Sequence, residues 1–335
     1  MDIRTSDIII GTSAYANADT TLLNEAGIGW VRQNFPFPFE DEVGGEVSAG
    51  YEKARASAKA WRDKGFRVMG VTPLYGIGKQ EPDADGHMRL IWHEHYPAYM
   101  NLLGSMEFVR VYGELCRFLA QDLHGLVDMW QISNELDITI FAGPLNLRQA
   151  CDLILEGARG LKMGDPGLIV GTNTGGSEKA YYLYGYLHAD PAGPLDYCGV
   201  DQYYGTWQPG GPERWDARIA ELYAISGGVK VLVNEWGYSS AGGLLTAEER
   251  KAQPYVCQHK KWYHAWDAGH TPDVQAEFVR QAYDVFYKHR DKLLGAFFYR
   301  WEDQASCWQC GAPDCPAETA WGLVTMEQQP KPAFY

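Results

Sequence analysis

Eight short apolar runs recur along the chain, and most are separated from the next by a longer stretch with helical periodicity. This rhythm constrains the fold more than any other feature. Consecutive strands joined by helices must run parallel, because a long crossover returns the chain to the same end of the sheet. The runs lie at 8–12, 30–34, 67–72, 128–133, 168–172, 197–203, 230–234 and 294–299. Helical patterns fill 20–26, 52–64, 108–123, 147–162, 215–226 and 274–289. Eight such units close a barrel, so the expected fold is a single (β/α)8 TIM barrel over residues 1–335. An open doubly wound sheet is the rival, but no Gly-rich phosphate loop follows the first strand. The length of 335 residues suits a barrel with loop insertions.

Three connections are long: 74–106, 237–273 and 301–335. All follow strands and so belong to the C-terminal face, where barrel active sites sit. They carry Tyr75, Trp92, Tyr96, Tyr99, Trp262, Trp266 and Trp308, which suit ordered cleft walls. The formal net charge of −14 disfavours a nucleic-acid or anionic-membrane partner. No run of apolar residues is long enough to span a membrane. The first fifteen residues lack the apolar core of a signal peptide, so a cytoplasmic location is expected. A secreted chain with its leader removed would read the same.

Two strand ends carry the chemistry. The fourth run ends Trp130-Gln131-Ile132-Ser133-Asn134-Glu135, and the seventh Val231-Leu232-Val233-Asn234-Glu235-Trp236-Gly237. Each delivers a glutamate to the C-terminal face, and in a closed barrel the two lie on opposite sides of the mouth. Two facing carboxyls are what glycoside cleavage requires, one protonated to release the leaving oxygen and one ionised to attack. A single glutamate at a strand end would read as solvated surface. Two at matching ends, each preceded by Asn, would not.

These endings resemble the hallmark of the "4/7" superfamily, clan A of the glycoside hydrolases, and look closest to families 39 and 5. The resemblance runs from the second strand to the eighth. It implies Glu135 as general acid/base, Glu235 as nucleophile, and Asn134 as a contact to the sugar 2-hydroxyl. Trp30-Val31-Arg32 is similar to the segment whose Arg steadies the nucleophile, which implies Arg32. The run Asp196 to Tyr204 is similar to the strand-six signature, which implies Tyr203 as a hydrogen-bond donor to the nucleophile. Asp201 stands where relatives often carry Asn or His. Phe298-Tyr299-Arg300-Trp301 is similar to the strand-eight ending and implies Trp301 as the floor under the sugar. The implied reaction is retaining hydrolysis of β-linked glycosides through a covalent glycosyl-enzyme, with carboxyls about 5–5.5 Å apart and no catalytic cofactor. A transglycosylase and a catalytically inactive carbohydrate-binding barrel are the alternatives on the same scaffold.

Seven cysteines are present. Cys116, Cys151 and Cys198 fall in expected helices or a strand and read as packing residues. Cys257, Cys307, Cys310 and Cys315 lie in the long loops. Cys307-Trp308-Gln309-Cys310-Gly311 has the look of a zinc knuckle, so a structural four-thiolate zinc is expected, with disulfides or free thiols as rivals. His93-Glu94-His95 has metal-like residue types at a weak spacing, which leaves a metal-dependent hydrolase as a further alternative.

Overall fold

The structure, a computed structural model, describes residues 8–252 and 255–335. Eight parallel strands form a closed barrel: β1 (Ile9–Ser13), β2 (Trp30–Asn34), β3 (Arg67–Val71), β4 (Met129–Gln131), β5 (Ile169–Thr172), β6 (Tyr197–Gln202), β7 (Val231–Trp236) and β8 (Leu293–Phe298). Each neighbours its sequence partners, and β8 pairs with β1 to close the ring. This is a (β/α)8 TIM barrel.

Among the described residues the main helices between successive strands are α1 (Thr20–Glu25), α2 (Ala49–Asp63), α3 (Met106–Asp122), α4 (Leu147–Gly164), α5 (Lys179–Leu187), α6 (Arg214–Ile225) and α7 (Pro272–Lys288), with short further helices at Thr139–Ala142, Ala247–Ala252, Val256–His259 and Pro316–Thr319 in the loops. Their starts are written locally. The side chains of Ser48, Ser105 and Thr271 each accept a backbone N–H from the first turn, and Asn146 with Gln149 forms a reciprocal capping box. After β8 a short 3-10 turn, Pro332–Phe334, packs against α7 where an eighth long helix would stand. Among the described residues no helix is long and apolar enough to cross a membrane.

Two features escape the sequence pattern. Helix α5 is rich in tyrosine and has no side-chain N-cap, so its composition reads as strand-like. It forms because Ala180, Leu183, Tyr184 and Leu187 recur at helical spacing and are buried together. The connection after β3 contains an antiparallel hairpin, Gly76–Pro82 with Met88–Glu94. Asp83 turns its tip by accepting the amides of Asp85 and His87. His93 Nε2 lies 2.8 Å from Glu81 Oε1 across this hairpin, so its partner is a carboxylate on the neighbouring strand.

Period-2 alternation divides the core. Ile9, Trp30, Met69, Met129, Tyr197, Leu232 and Phe297 point inward and plug the barrel. The opposite faces of the strands pack against the helices in a much larger apolar layer. Two residues further along β2, β4 and β7 the inward side chains are polar, Arg32, Gln131 and Asn234, and the site begins there.

Helices α3 and α4 approach closely through glycine. A Cβ on Gly160 would lie 2.1 Å from the Gly113 carbonyl oxygen, a backbone atom with no freedom to retreat. Gly160→Ala should therefore destabilise the fold by about 1–3 kcal/mol, although alanine is the better helix former. Denaturant unfolding measures it. An unchanged or raised midpoint would show that the helices can part without cost.

Candidate active site

Gln131 sits at the centre of the polar layer. It is fully buried and faces inward with Met129. Its Oε1 accepts from Arg32 Nε at 3.0 Å and from Asn234 Nδ2 at 2.9 Å. Its Nε2 donates to the Ser133 carbonyl at 2.7 Å and to Asn134 Oδ1 at 3.0 Å. One amide thus ties β2, β4 and β7 together across the barrel axis.

Arg32 uses every face of its guanidinium. Nε binds Gln131, Nη2 binds Asn134 Oδ1 at 2.8 Å, and Nη1 meets Glu235 Oε1 at 2.5 Å. The other Glu235 oxygen accepts from the Tyr203 hydroxyl at 2.5 Å. Side-chain exposure is only 7% for Arg32 and 12% for Glu235, so water screens the pair little. A register shift in the β6–β7 pairing aligns Val200 with Val233 and Asp201 with Glu235. The extra residue lets Asn234 and Glu235 both turn toward the axis, which strict alternation would forbid.

Glu135 reaches the same mouth by a different route. The chain leaves β4 with Ser133 and Glu135 at φ of 53° and 45°, in the left-handed region that non-glycine residues seldom adopt. The Ser133 amide donates to Thr72 Oγ1 at 2.8 Å and the Glu135 amide to Asn173 Oδ1 at 3.0 Å, which holds the kink. Asn173 also donates to Asn134 Oδ1 and to Asp201 Oδ2. Burial, then the charges of Glu235 and Asp137, push the Glu135 carboxyl well above the usual range. Burial, then Glu235 and Glu135, do the same to Asp201. The two carboxyls lie within hydrogen-bonding reach of each other, while Asp201 Oδ1 meets no N–H or O–H donor among the described residues. A proton between them would satisfy both groups.

These carboxyls face a cleft of about 950 Å³, at the upper end of small-molecule pockets. Asn134, Arg32 and Tyr203 line it with Glu135, Glu235 and Asp201. Trp301 does not. It is fully buried in the outer layer, with its Nε1 donating to Gln328 at 2.9 Å and its ring beside Phe334. The expectation of Trp301 as cleft floor is corrected here: two residues earlier, Tyr299 turns to the cleft and Trp301 turns away. The Tyr299 hydroxyl donates to Glu318 Oε2 at 2.8 Å, and Gln309 Nε2 donates to Glu318 Oε1 at 2.9 Å. Burial pushes Glu318 up to about 8. Glu318 and Trp321 are cleft residues that the sequence pattern missed, since neither stands at a strand end. Gln131 was within its reach, as a polar residue on the inward face of an apolar strand. The four loop cysteines converge behind this wall.

No family model matches the chain, and no curated protein does. Solved structures do. A glucosidase from Croceicoccus marinus superposes with a TM-score of 0.64 at 13% identity, covering 97% of this chain and 65% of that one. A GH10 endoxylanase from a sugarcane soil metagenome gives 0.61 at 13%, covering 98% and 95%. A β-glucuronidase from an uncultured Clostridium sp. gives 0.59 at 14%, with 98% of this chain on 49% of the other. The likeness is one of fold. The chain spans about half the length of that glucuronidase and about two thirds of the glucosidase.

The ion pair makes a testable demand. Arg32→Met leaves Glu235 without its cation and should destabilise the protein by about 3–5 kcal/mol. Arg32→Met combined with Glu235→Met should recover much of that loss in denaturant unfolding. A single variant as stable as the parent would show that Glu235 finds another partner.

Proposed function

We propose that this protein is a retaining β-glycoside hydrolase, with Glu235 as nucleophile and Glu135 as general acid/base. One observation carries the reading: two carboxyls in one cleft sit in opposite environments. Glu235 receives a guanidinium and a phenol, one on each carboxylate oxygen. Glu135 is buried and borders other acids, Asp201 among them, so its carboxyl is pushed up toward the protonated form. An anion and a proton donor facing one substrate are the two groups that double displacement needs.

Each neighbour then has a task. Glu235 Oε attacks the anomeric carbon while Arg32 and Tyr203 keep its lone pair oriented. Glu135 gives its proton to the departing oxygen, then takes one from the water that releases the sugar. Asn134 spends its Oδ1 on Arg32, Gln131 and Asn173, which fixes its Nδ2 for a sugar hydroxyl. Tyr299, Trp308 and Trp321 supply aromatic surface along the cleft for sugar rings. The fold of a glucosidase, an endoxylanase and a glucuronidase supports a carbohydrate substrate on the same scaffold.

A panel of nitrophenyl β-glycosides and polysaccharides tests the reading. Proton NMR of the first product should show the β-anomer, and an α-anomer would overturn retention. Glu235→Ala should abolish turnover. Glu135→Ala should lower kcat/KM, which reports the acid-assisted first step, by about 10²–10⁴ on substrates with poor leaving groups. The loss should be far smaller with dinitrophenyl leaving groups, which depart without a proton. Equal losses on both would remove Glu135 from the acid role.

A proton shared between Glu135 and Asp201 would show in the pH dependence. Losing the last proton from the Glu135–Asp201 pair places two charges side by side, which holds that proton to high pH. Asp201→Asn removes one charge, so the alkaline limb of the pH–rate profile should move to lower pH. A limb that stays in place would show that Asp201 does not set the protonation of Glu135.

A further inference from the structure

Behind the cleft wall the chain gathers four sulfurs from two loops. Cys257 comes from the connection between β7 and α7, and Cys307, Cys310 and Cys315 from the segment after β8. All four Sγ atoms lie within 4.8 Å of one another. Cys315 and Cys257 are 3.8 Å apart, and Cys257 and Cys307 are 4.0 Å apart. Four thiolates around zinc at bonds of about 2.3 Å form a tetrahedron whose sulfurs stand about 3.8 Å apart. The cage therefore has the size of a metal shell. Disulfides would instead draw two pairs to about 2 Å and leave the pairs no reason to meet.

The surroundings suit thiolates. The Cys310 amide donates to the Cys307 sulfur, and the Ala317 amide to the Cys315 sulfur. Such N–H donors offset sulfur charge in metal sites. Gly311, at φ of 75°, lets the chain double back after Cys310, and its amide donates to the Cys307 carbonyl at 2.7 Å. Lys260 stands beside the cluster, pairs with Asp314 and adds a positive charge facing Cys315 and Cys310. Val256, Trp262, Ala317 and Trp321 close an apolar shell around the sulfurs.

We infer that Cys257, Cys307, Cys310 and Cys315 hold one zinc ion as a closed four-thiolate site that locks two cleft-walling loops together. A full sulfur shell leaves no position for substrate or water, so the ion's task is structural. What it fixes is specific. Trp308 and Gln309 lie between two ligands, and both line the cleft. Gln309 holds Glu318, three residues past Cys315. The Trp321 ring packs 5.0 Å from the Tyr203 ring, whose hydroxyl holds Glu235. The metal thus stands behind a packed path to the carboxylate at the centre of the site.

Elemental analysis of protein purified without chelators should find one zinc per chain. Protein free of metal would overturn the inference, and so would iron, the other common occupant of four sulfurs. All seven cysteines should titrate as thiols once the protein is unfolded with chelator and no reductant. Fewer would mean disulfides and would also overturn it. Cys310→Ser, at the least buried ligand, should lose the zinc and raise hydrogen exchange across 304–321 while leaving the barrel strands protected. Cys151→Ala, in the helix layer, should keep the zinc. If Cys310→Ser fails to fold, cobalt replacing zinc in the parent protein decides: intense sulfur-to-cobalt charge transfer supports the site, and its absence sinks it. These readouts need no substrate, so they stand or fall apart from the glycosidase reading.

Discussion

The interaction on which the site depends is the buried contact between Arg32 and Glu235. A carboxylate with so little access to water cannot stay charged unless something inside the barrel replaces its hydration. Arg32 does so, and the barrel must then hold Arg32. Gln131 and Asn134 take its remaining donors, and Asn234 completes the ring through Gln131. The strands can carry these residues only because the apolar plug lies one layer below and leaves the upper interior to polar side chains. Stability and chemistry thus divide the barrel by height.

Electrostatics in the mouth follow from that division. Four carboxyls line one cleft: Glu135, Asp201, Glu235 and Glu318. Only Glu235 has a bound guanidinium. Burial and neighbouring carboxylates push Glu135 and Asp201 up, and Glu318 is steadied by the Tyr299 hydroxyl and the Gln309 amide. Like residues thus stand in unlike surroundings. The proposed reaction needs that contrast.

Most of the scaffold was legible in the chain because it is local. Strand positions follow alternating apolar residues, and six helices follow their own periodicity and caps. Helix α5 was hidden because its tyrosines suit either structure and only tertiary burial chose. The hairpin after β3 was hidden because its buried positions are Gly76, Gly78 and Gln80, not apolar side chains, while Leu90 and Ile91 on the partner strand are exposed. Trp301 shows the limit of reading a motif by position. The chain after β8 places Tyr299 and Arg300 at the cleft and sends the next ring into the outer layer, beside a C-terminal phenylalanine whose location no local pattern encodes.

The sequence by itself determined the eight-fold alternation and put Glu135 and Glu235 at the ends of the fourth and seventh strands, since period-2 spacing and strand order are properties of neighbouring residues. The tertiary structure decided which groups those glutamates meet. Barrel closure brings Arg32 to Glu235 across some two hundred residues of chain, sets Asp201 against Glu135, and folds Cys257 onto Cys307, Cys310 and Cys315. Such contacts depend on loops and register shifts that place distant backbone within a few ångströms. A protonation state or a metal shell is settled only at that distance.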